Sequence, residues 1–321
     1  MFDIITIGSA VLDIYAMSDK LILTKDLLGV APSTKSEISQ GFFTCGGGAT
    51  NTAVTFSKLE LKTGCLSLVG DDHLNYFIKK SLKKFGVNRR LLIVDPKSTT
   101  DYSIILVAND GTRSVLVDRG EYDLQEKHIP WSKIKKTKWF YISSLSGNIN
   151  LLEKLIGFAK ENNIKIALNP GNRELKKRQI LIPLLQHVDF LLLNRMEAQD
   201  LTQLNFDNKN FWPKLQSYGA KISSVTNGRD GAYVFENEQI YYSPILNIHA
   251  VDETGAGDAF GSAFTAALIY GLSSQEALLW GVRNSASVVS ELGAKNNILT
   301  LKEIKQKKLC FPNQKKTKKQ K

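Results

Sequence analysis

Apolar residues fall in two rhythms along this chain. Short dense runs such as Ile4-Ile5-Thr6-Ile7, Cys65-Leu66-Ser67-Leu68-Val69 and Phe190-Leu191-Leu192-Leu193-Asn194 are too brief for helices and rich in residues that fit a pleated surface. Between them lie longer stretches, residues 74–85 and 149–161 among them, in which apolar positions return every three or four residues. The first kind reads as buried strands and the second as amphipathic helices. Further strands are expected at 91–94, 139–142 and 164–169, and a further helix at 180–186. Strands alternating with helices predict an α/β fold whose mostly parallel central sheet is covered on both faces. Two hairpin signals interrupt the alternation. Tyr102 to Ala108 and Arg113 to Val117 flank Asn109-Asp110-Gly111-Thr112, and an Asp-Gly turn between β runs favours an antiparallel pair. With residues 14–17 and 35–44 that pair predicts a small separate sheet, a lid over the ligand edge of the main one. A second polar glycine turn, Thr226-Asn227-Gly228-Arg229-Asp230-Gly231, joins a strand to its return strand. Near the end, helices are expected over 274–284 and 285–292.

Size and composition narrow the class without changing the fold. The 321 residues can bury a substantial core. The pattern predicts one domain over residues 1–309, with its lid from about 14–44 and 99–119. Hydrophobic residues at 43% and charged ones at 23% are ordinary for a globular protein. No apolar run is long enough to cross a membrane. The start of the chain lacks a basic region ahead of an apolar one, so no signal peptide is expected. Cys45, Cys65 and Cys310 have no metal-ligand spacing and fit a reducing, cytoplasmic setting. The net charge of +11 raises the question of nucleic acid. Residues 302–321 hold nine lysines and one glutamate, a net of +8, which leaves +3 for the rest. Beyond residue 309 this tail lacks the apolar content to fold. It reads as a solvated, disordered end in preference to an RNA-binding arm.

Candidate chemistry gathers at glycine-rich turns. Asp252-Glu253-Thr254-Gly255-Ala256-Gly257-Asp258 precedes a run of small and apolar residues at helical density. A glycine turn opening a helix lets backbone approach a ligand, turns unpaired N–H groups outward and favours an anion. A carboxylate in that place suits a base that takes a proton from an attacking hydroxyl, although Asp also suits a helix N-terminus as a plain cap. Gly46-Gly47-Gly48-Ala49-Thr50-Asn51 forms a second such turn. It lacks the Gly-Lys-Ser/Thr of a phosphate loop, and Asn51 stands where a dinucleotide fingerprint has its third glycine. A tight helix contact is the competing account. Asp13 lies a few residues past the first strand, where parallel sheets bind ligands, and is equally at home in a turn. Asn194 and Glu197 share one helix face. They form either a capping box or a pair that holds phosphate oxygens and, through water, Mg²⁺.

Taken together these turns resemble the PfkB, or ribokinase-like, family of carbohydrate and nucleoside kinases, from Gly8 to about Gly293. The most specific part is the stretch from Asp252 to Asp258; the Gly46 to Asn51 turn with the following Gly70-Asp71-Asp72 comes next, and Asn194-x-x-Glu197 and Thr226-x-Gly228 follow in the family's order. The resemblance implies a three-layer α/β/α sandwich with a β lid, ATP as phosphoryl donor and Mg²⁺ as helper. By similarity Asp258 is the catalytic base, and backbone N–H groups of Gly255, Ala256, Gly257 and Asp258 stabilise the transferring phosphoryl group. Asp13, Gly46, Gly47 and Asn51 are the implied substrate ligands. Asn194, Glu197, Thr226, Gly228 and Asn284 are the implied nucleotide ligands, with Glu197 reaching Mg²⁺ through water and Asn284 near the adenine. Asp252, Thr254 and Gly293 are candidate K⁺ ligands, although Glu253 departs from the small or hydroxylated residue usual after Asp252. The implied acceptor is a small sugar, with a nucleoside or a sugar phosphate as alternatives. Phe42, Phe43 and Tyr102 are candidates for stacking a purine, and Arg113 or Arg119 for meeting a phosphate; lid packing and surface exposure are the competing accounts. A ligand-binding protein without catalysis on the same scaffold is the non-enzymatic alternative, which an intact Asp258 disfavours. The lid's free edge is a candidate for pairing two subunits.

Overall fold

The computed structural model describes residues 1–120 and 123–306. Its strands, in chain order, are β1 (Phe2–Ile7), β2 (Val11–Met17), β3 (Ile22–Leu23), β4 (Leu28–Gly29), β5 (Gln40–Gly46), β6 (Thr63–Gly70), β7 (Leu92–Asp95), β8 (Tyr102–Val107), β9 (Arg113–Asp118), β10 (Thr137–Ile142), β11 (Lys165–Leu168), β12 (Phe190–Asn194), β13 (Ile222–Thr226), β14 (Ala232–Glu236) and β15 (Gln239–Ser243). The helices are α1 (Gly48–Lys58), α2 (Leu74–Lys84), α3 (Trp131–Ile134), α4 (Ile149–Glu161), α5 (Asn172–Leu175), α6 (Arg178–Leu184), α7 (Arg195–Thr202), α8 (Phe211–Gln216), α9 (Ala256–Ile269), α10 (Ser274–Val289) and α11 (Leu301–Lys305).

Nine strands form the main sheet in the order β15-β14-β13-β12-β11-β10-β1-β6-β7. From β13 to β7 every pairing is parallel, and β14 and β15 add an antiparallel edge. A parallel sheet covered on both faces needs apolar residues on both, which is why its strands read as continuous runs. The period of two then assigns each residue to a layer. Ile5, Phe140, Ile142, Leu191 and Leu193 pack on the side of α4, α6, α7 and α8. Ile4, Trp139, Tyr141, Phe190 and Leu192 pack on the side of α1, α9 and α10. Phe264 of α9 stacks on Phe190 at 4.2 Å between ring centres. Each such fully buried ring contributes about 1.5–3 kcal/mol of transfer free energy. The result is the three-layer sandwich expected from the sequence.

The second sheet has the order β5-β2-β8-β9. Strand β2 pairs antiparallel with β5 and parallel with β8, and β8 pairs antiparallel with β9 around the Asp110-Gly111 turn. Its members come from the three stretches expected to build a lid. One expected boundary fails. The separate helices over 274–284 and 285–292 are a single helix, α10, unbroken from Ser274 to Val289. Asn284 sends its side chain outward to neighbouring segments and does not cap its own helix, so the backbone ladder runs through it. The tail beyond residue 309 and Cys310 lie outside the described residues. Among those described, no helix is long and apolar enough to cross a membrane.

Candidate active site

Helix α9 begins without a side-chain cap, on Gly255 in the left-handed region at φ 78°. A Cβ on Gly255 would stand 2.4 Å from Cβ of Ala294, so both backbone conformation and space demand glycine here. A Cβ on Gly257 would meet nothing within 4 Å, which leaves the first turn open to a ligand. Uncapped first-turn N–H groups beside open space are what an anion needs. Asp258 lies in that first turn and its residue surface is partly accessible.

Across from it stands the other glycine turn. Gly47 has φ 92°, and a Cβ there would press within 2.5 Å of the Ser9 carbonyl. The turn starts α1 at Gly48 and places Asn51 one turn in, where its Nδ2 donates to Oδ2 of Asp258 at 2.8 Å. Burial pushes the Asp258 carboxyl up from its ordinary value, opposed by the Asn51 hydrogen bond and by the positive field of Lys295. A base that is partly accessible and raised above its ordinary value accepts a proton more readily than a free carboxylate. The third member comes from the lid. Asp13 on β2 accepts a hydrogen bond from Oγ of Ser103 on β8. A Cβ on Gly46 would lie 2.1 Å from Oδ2 of Asp13, so Gly46 leaves the room in which that carboxylate sits. Burial also raises Asp13, with Ser103 and Lys295 pulling it back and Asp252 adding to the rise. Asp13, Gly46, Gly47, Asn51 and Asp258 therefore meet where the lid joins the sheet.

A second group occupies the carboxyl ends of two neighbouring parallel strands. Asn194 ends β12 and Thr226 ends β13, paired side by side in the sheet. Asn194 and Glu197 form a reciprocal capping box: Oδ1 of Asn194 accepts from the Glu197 N–H at 2.9 Å, and Oε2 of Glu197 accepts from the Asn194 N–H at 2.8 Å. Burial raises the Glu197 carboxyl, the bond from Asn194 lowers it and nearby Asp200 raises it further. Gly228, exposed and at φ 52°, has open space around it. Asn284 does not join this group. It is fully buried, with Nδ2 bound to the Ala259 carbonyl at 2.9 Å and Oδ1 to the Leu299 N–H at 3.0 Å. It fastens α9, α10 and the chain before α11 together and presents no surface to an adenine.

Of the candidate K⁺ ligands, Asp252 is otherwise engaged. Asp252, with no exposed side-chain surface, accepts from the N–H of Thr254 at 2.8 Å, the N–H of Gly293 at 2.9 Å and the hydroxyl of Tyr15 at 3.2 Å. Arg113 of β9 adds a guanidinium to Oδ1. Burial would raise this carboxyl, but the bonds from Thr254 and Gly293 and the charge of Arg113 outweigh it and hold the group below its ordinary value. Thr254 and Gly293 turn donors to this carboxylate, and a cation already neutralises it. The bonds from Thr254 and Gly293 use their N–H groups and not their carbonyl oxygens, so among the three candidates it is the Asp252 carboxylate that is occupied, by Arg113.

Of the aromatic and basic residues expected to reach a substrate, Arg119 and Phe43 are exposed and the others meet protein partners. Phe42 stacks on Tyr15 at 4.6 Å within the lid, and Phe43 stacks on Phe77 of α2 at 5.3 Å. Tyr102 bonds to Asp118 across the lid. Two residues at the centre, Lys295 and Tyr15, carry no sequence signal that marks them. The sequence marks Arg113 only as a partner for a phosphate on the acceptor, and its partner is Asp252. A hollow of about 900 Å³ lined by Phe2, Lys62, Arg90 and Lys133 opens elsewhere. It lies at the amino ends of β1 and β6, away from the carboxyl ends where parallel sheets bind ligands.

Comparison with known proteins bears on this geometry. A family model described as pfkB family carbohydrate kinase matches residues 1–301. A ribokinase of Bacillus subtilis is 27% identical over 311 residues, which cover 95% of this chain and 99% of that protein. A nucleoside kinase of Methanocaldococcus jannaschii is 26% identical over 85% of this chain and 88% of its own length. The structure of Arabidopsis thaliana ribokinase complexed with ribose and ATP matches with a TM-score of 0.77 at 20% identity, covering 94% of this chain and 97% of that one.

Proposed function

The chain belongs to the pfkB family of carbohydrate kinases, and we propose that it transfers the γ-phosphoryl group of ATP to a hydroxyl of a small sugar with Asp258 as base. The observation that carries this reading is the Asp258 carboxylate in an uncapped helix turn, held at 2.8 Å by Asn51 of the facing glycine turn. Asp258 takes the proton of the substrate hydroxyl. The freed oxygen forms a bond to the γ-phosphorus while the bond to the β-phosphate oxygen breaks, and ADP leaves with that electron pair. In the first turn the N–H groups of Gly257 and Asp258 are the ones for charge on the transferring phosphoryl group, since the Ala256 N–H is bound to the Glu253 carbonyl at 3.2 Å. Asp13 and Asn51, in the room left by Gly46 and Gly47, hold neighbouring hydroxyls.

Asn194, Glu197, Thr226 and Gly228 line the place for the nucleotide. The free oxygen of Glu197 suits a water-mediated hold on Mg²⁺, which when bound offsets phosphate charge. For the alternative acceptor, a nucleoside, the lid offers Phe43, which stacks on Phe77 and stays 57% exposed, while Phe42 is stacked on Tyr15. A homodimer through the lid is the assembly we favour. Its support is the exposed row Val115, Leu116 and Val117 on the edge strand β9.

Asp258→Asn tests the reading. Loss of one positioned base costs about 10²–10⁴-fold in turnover, and ATP binding should survive. ADP release across a panel of ribose, deoxyribose, fructose and nucleosides, with and without the substitution, reads both points. Turnover close to wild type in the variant would remove the assignment, and preference for nucleosides would shift the acceptor.

A further inference from the structure

Lys295 is 4% exposed, yet among the described residues no carboxylate lies within ion-pair distance of it. Its ammonium donates instead to three neutral oxygens: the Cys45 carbonyl, Oγ1 of Thr50 at 2.9 Å and Oδ1 of Asn51. An unpaired buried charge is expensive, and an apolar side chain could tie the same segments together at lower cost. The charge therefore calls for an explanation beyond packing.

Its surroundings give one. Three successive residues touch three parts of the site. The Gly293 N–H binds Asp252 at 2.9 Å, Ala294 packs on Gly255, and Lys295 reaches Asn51. An asparagine amide can present either end to a neighbour. An ammonium only donates, so it fixes Oδ1 of Asn51 toward itself and turns Nδ2 toward Asp258. We propose that Lys295 is a positioning residue for phosphoryl transfer: it locks the Asn51 amide with its NH₂ toward Asp258 and supplies a fixed positive charge that favours the ionised form of this carboxylate. The proposal rests on Asp258 being the base.

The groups facing Asp258 are few. Helix α1 contributes neutral Asn51. Strand β10 contributes Tyr141, whose buried hydroxyl has no partner among the described residues and whose pKa burial and Asp258 drive well up. The segment after α10 contributes Lys295. In the loop before α9, Asp252 is neutralised by Arg113, and Asp13 of the lid lies within the field of the same Lys295. Lys295 is thus the cation acting on Asp258, and it opposes the upward push of burial.

The test is the pH dependence of kcat/KM, read by ADP release, for wild type, Lys295→Met, Lys295→Gln, Lys295→Arg and Asp258→Asn. Removing the positive charge favours the protonated, inactive base, so the acid limb moves to higher pH. On that limb Lys295→Met should lose about ten-fold more activity than on the alkaline plateau, with KM for ATP unchanged. Lys295→Gln keeps a donor for Asn51 without the charge. It should show the same displaced limb, and it replaces the Met variant if that one does not fold. Lys295→Arg should restore the limb. An unmoved acid limb in the neutral variants, or a loss uniform across pH, overturns the proposal. Activity in Asp258→Asn would instead sink the base assignment, so the two failures are separable.

Discussion

Arg113→Met isolates the contact between the lid and the loop before α9. In the wild type the guanidinium on β9 meets a carboxylate with no exposed surface, while Arg113 itself keeps 31% of its side chain in solvent. Two limits bracket the effect. An exposed pair contributes only ~0.2–1 kcal/mol, and removing one partner of a fully buried pair costs about 3–5 kcal/mol. The burial of Asp252 argues for the upper limit, but it keeps donors from Thr254, Gly293 and Tyr15 after the arginine is gone. A cost of about 2–3 kcal/mol follows, or a Tm lower by about 5 °C for a chain of this size. The sign of the pH dependence is fixed by the direction of the Asp252 shift. Its folded pKa lies below the ordinary 3.8, so the stabilisation is present above that value and is lost as pH falls through the folded one. The gap between wild type and variant should therefore be full at neutral pH and close in strong acid. Turnover should fall as the lid loses its tie. Because the variant bares a buried carboxylate, K⁺ should partly restore its activity, while the wild type should run equally well in Na⁺ and K⁺. Thermal unfolding at two pH values and ADP release in the two salts check this. A wild type that needs K⁺, or a variant as stable as wild type at neutral pH, would refute the reasoning.

Asn284→Ala leaves the Ala259 carbonyl and the Leu299 N–H buried without partners. At about 1–3 kcal/mol per orphaned group it should destabilise the fold by roughly 2–6 kcal/mol in urea unfolding, with KM for ATP unaffected. A raised KM at full stability would return this residue to the nucleotide site. Leu116→Glu places a charge in the exposed apolar row of β9. If the lid edge joins two subunits, light scattering should read a dimer for wild type and a monomer for the variant; a wild-type monomer at assay concentrations removes the dimer.

How much of the molecule is legible in the chain depends on the range of the physics involved. Strands β1, β10 and β12 are legible because residues buried on both faces make unbroken apolar runs, and β8 and β9 because an Asp-Gly turn needs only local geometry. The ends of α10 are not, since nothing in the helix-breaking reputation of Asn and Ser says whether a side chain faces its own backbone or a neighbour. Asn284 is placed near the adenine by resemblance alone, and a resemblance does not say which way its side chain faces. Lys295 is invisible, because lysine is expected in solvent and the acceptors that bury it lie some 245 positions earlier at Thr50.

The convergence of Asp13, Asn51 and Asp258 has a cause in connectivity. Parallel strands bring all their carboxyl ends to one side of the sheet. Only Gly8, Ser9 and Ala10 separate the end of β1 from the lid strand β2, so Asp13 must lie beside that edge. The other lid strand, β5, ends at Gly46 and runs through Gly47 directly into α1, which fixes Asn51 at the same edge. The register of β2 on β5 pairs Val11 with Gly46, which ties the start of one lid strand to the end of the other. Asp258 arrives from the far end of the chain, and its place depends on α9 packing against α1, with Ala259 in one cluster with Ala49 and Ala53, and on Phe264 stacking on Phe190 of the sheet. Two of the three site residues are therefore set by short links that the sequence displays. The third is set by a core contact, and a substitution that loosens α9 should disturb catalysis before it disturbs the lid.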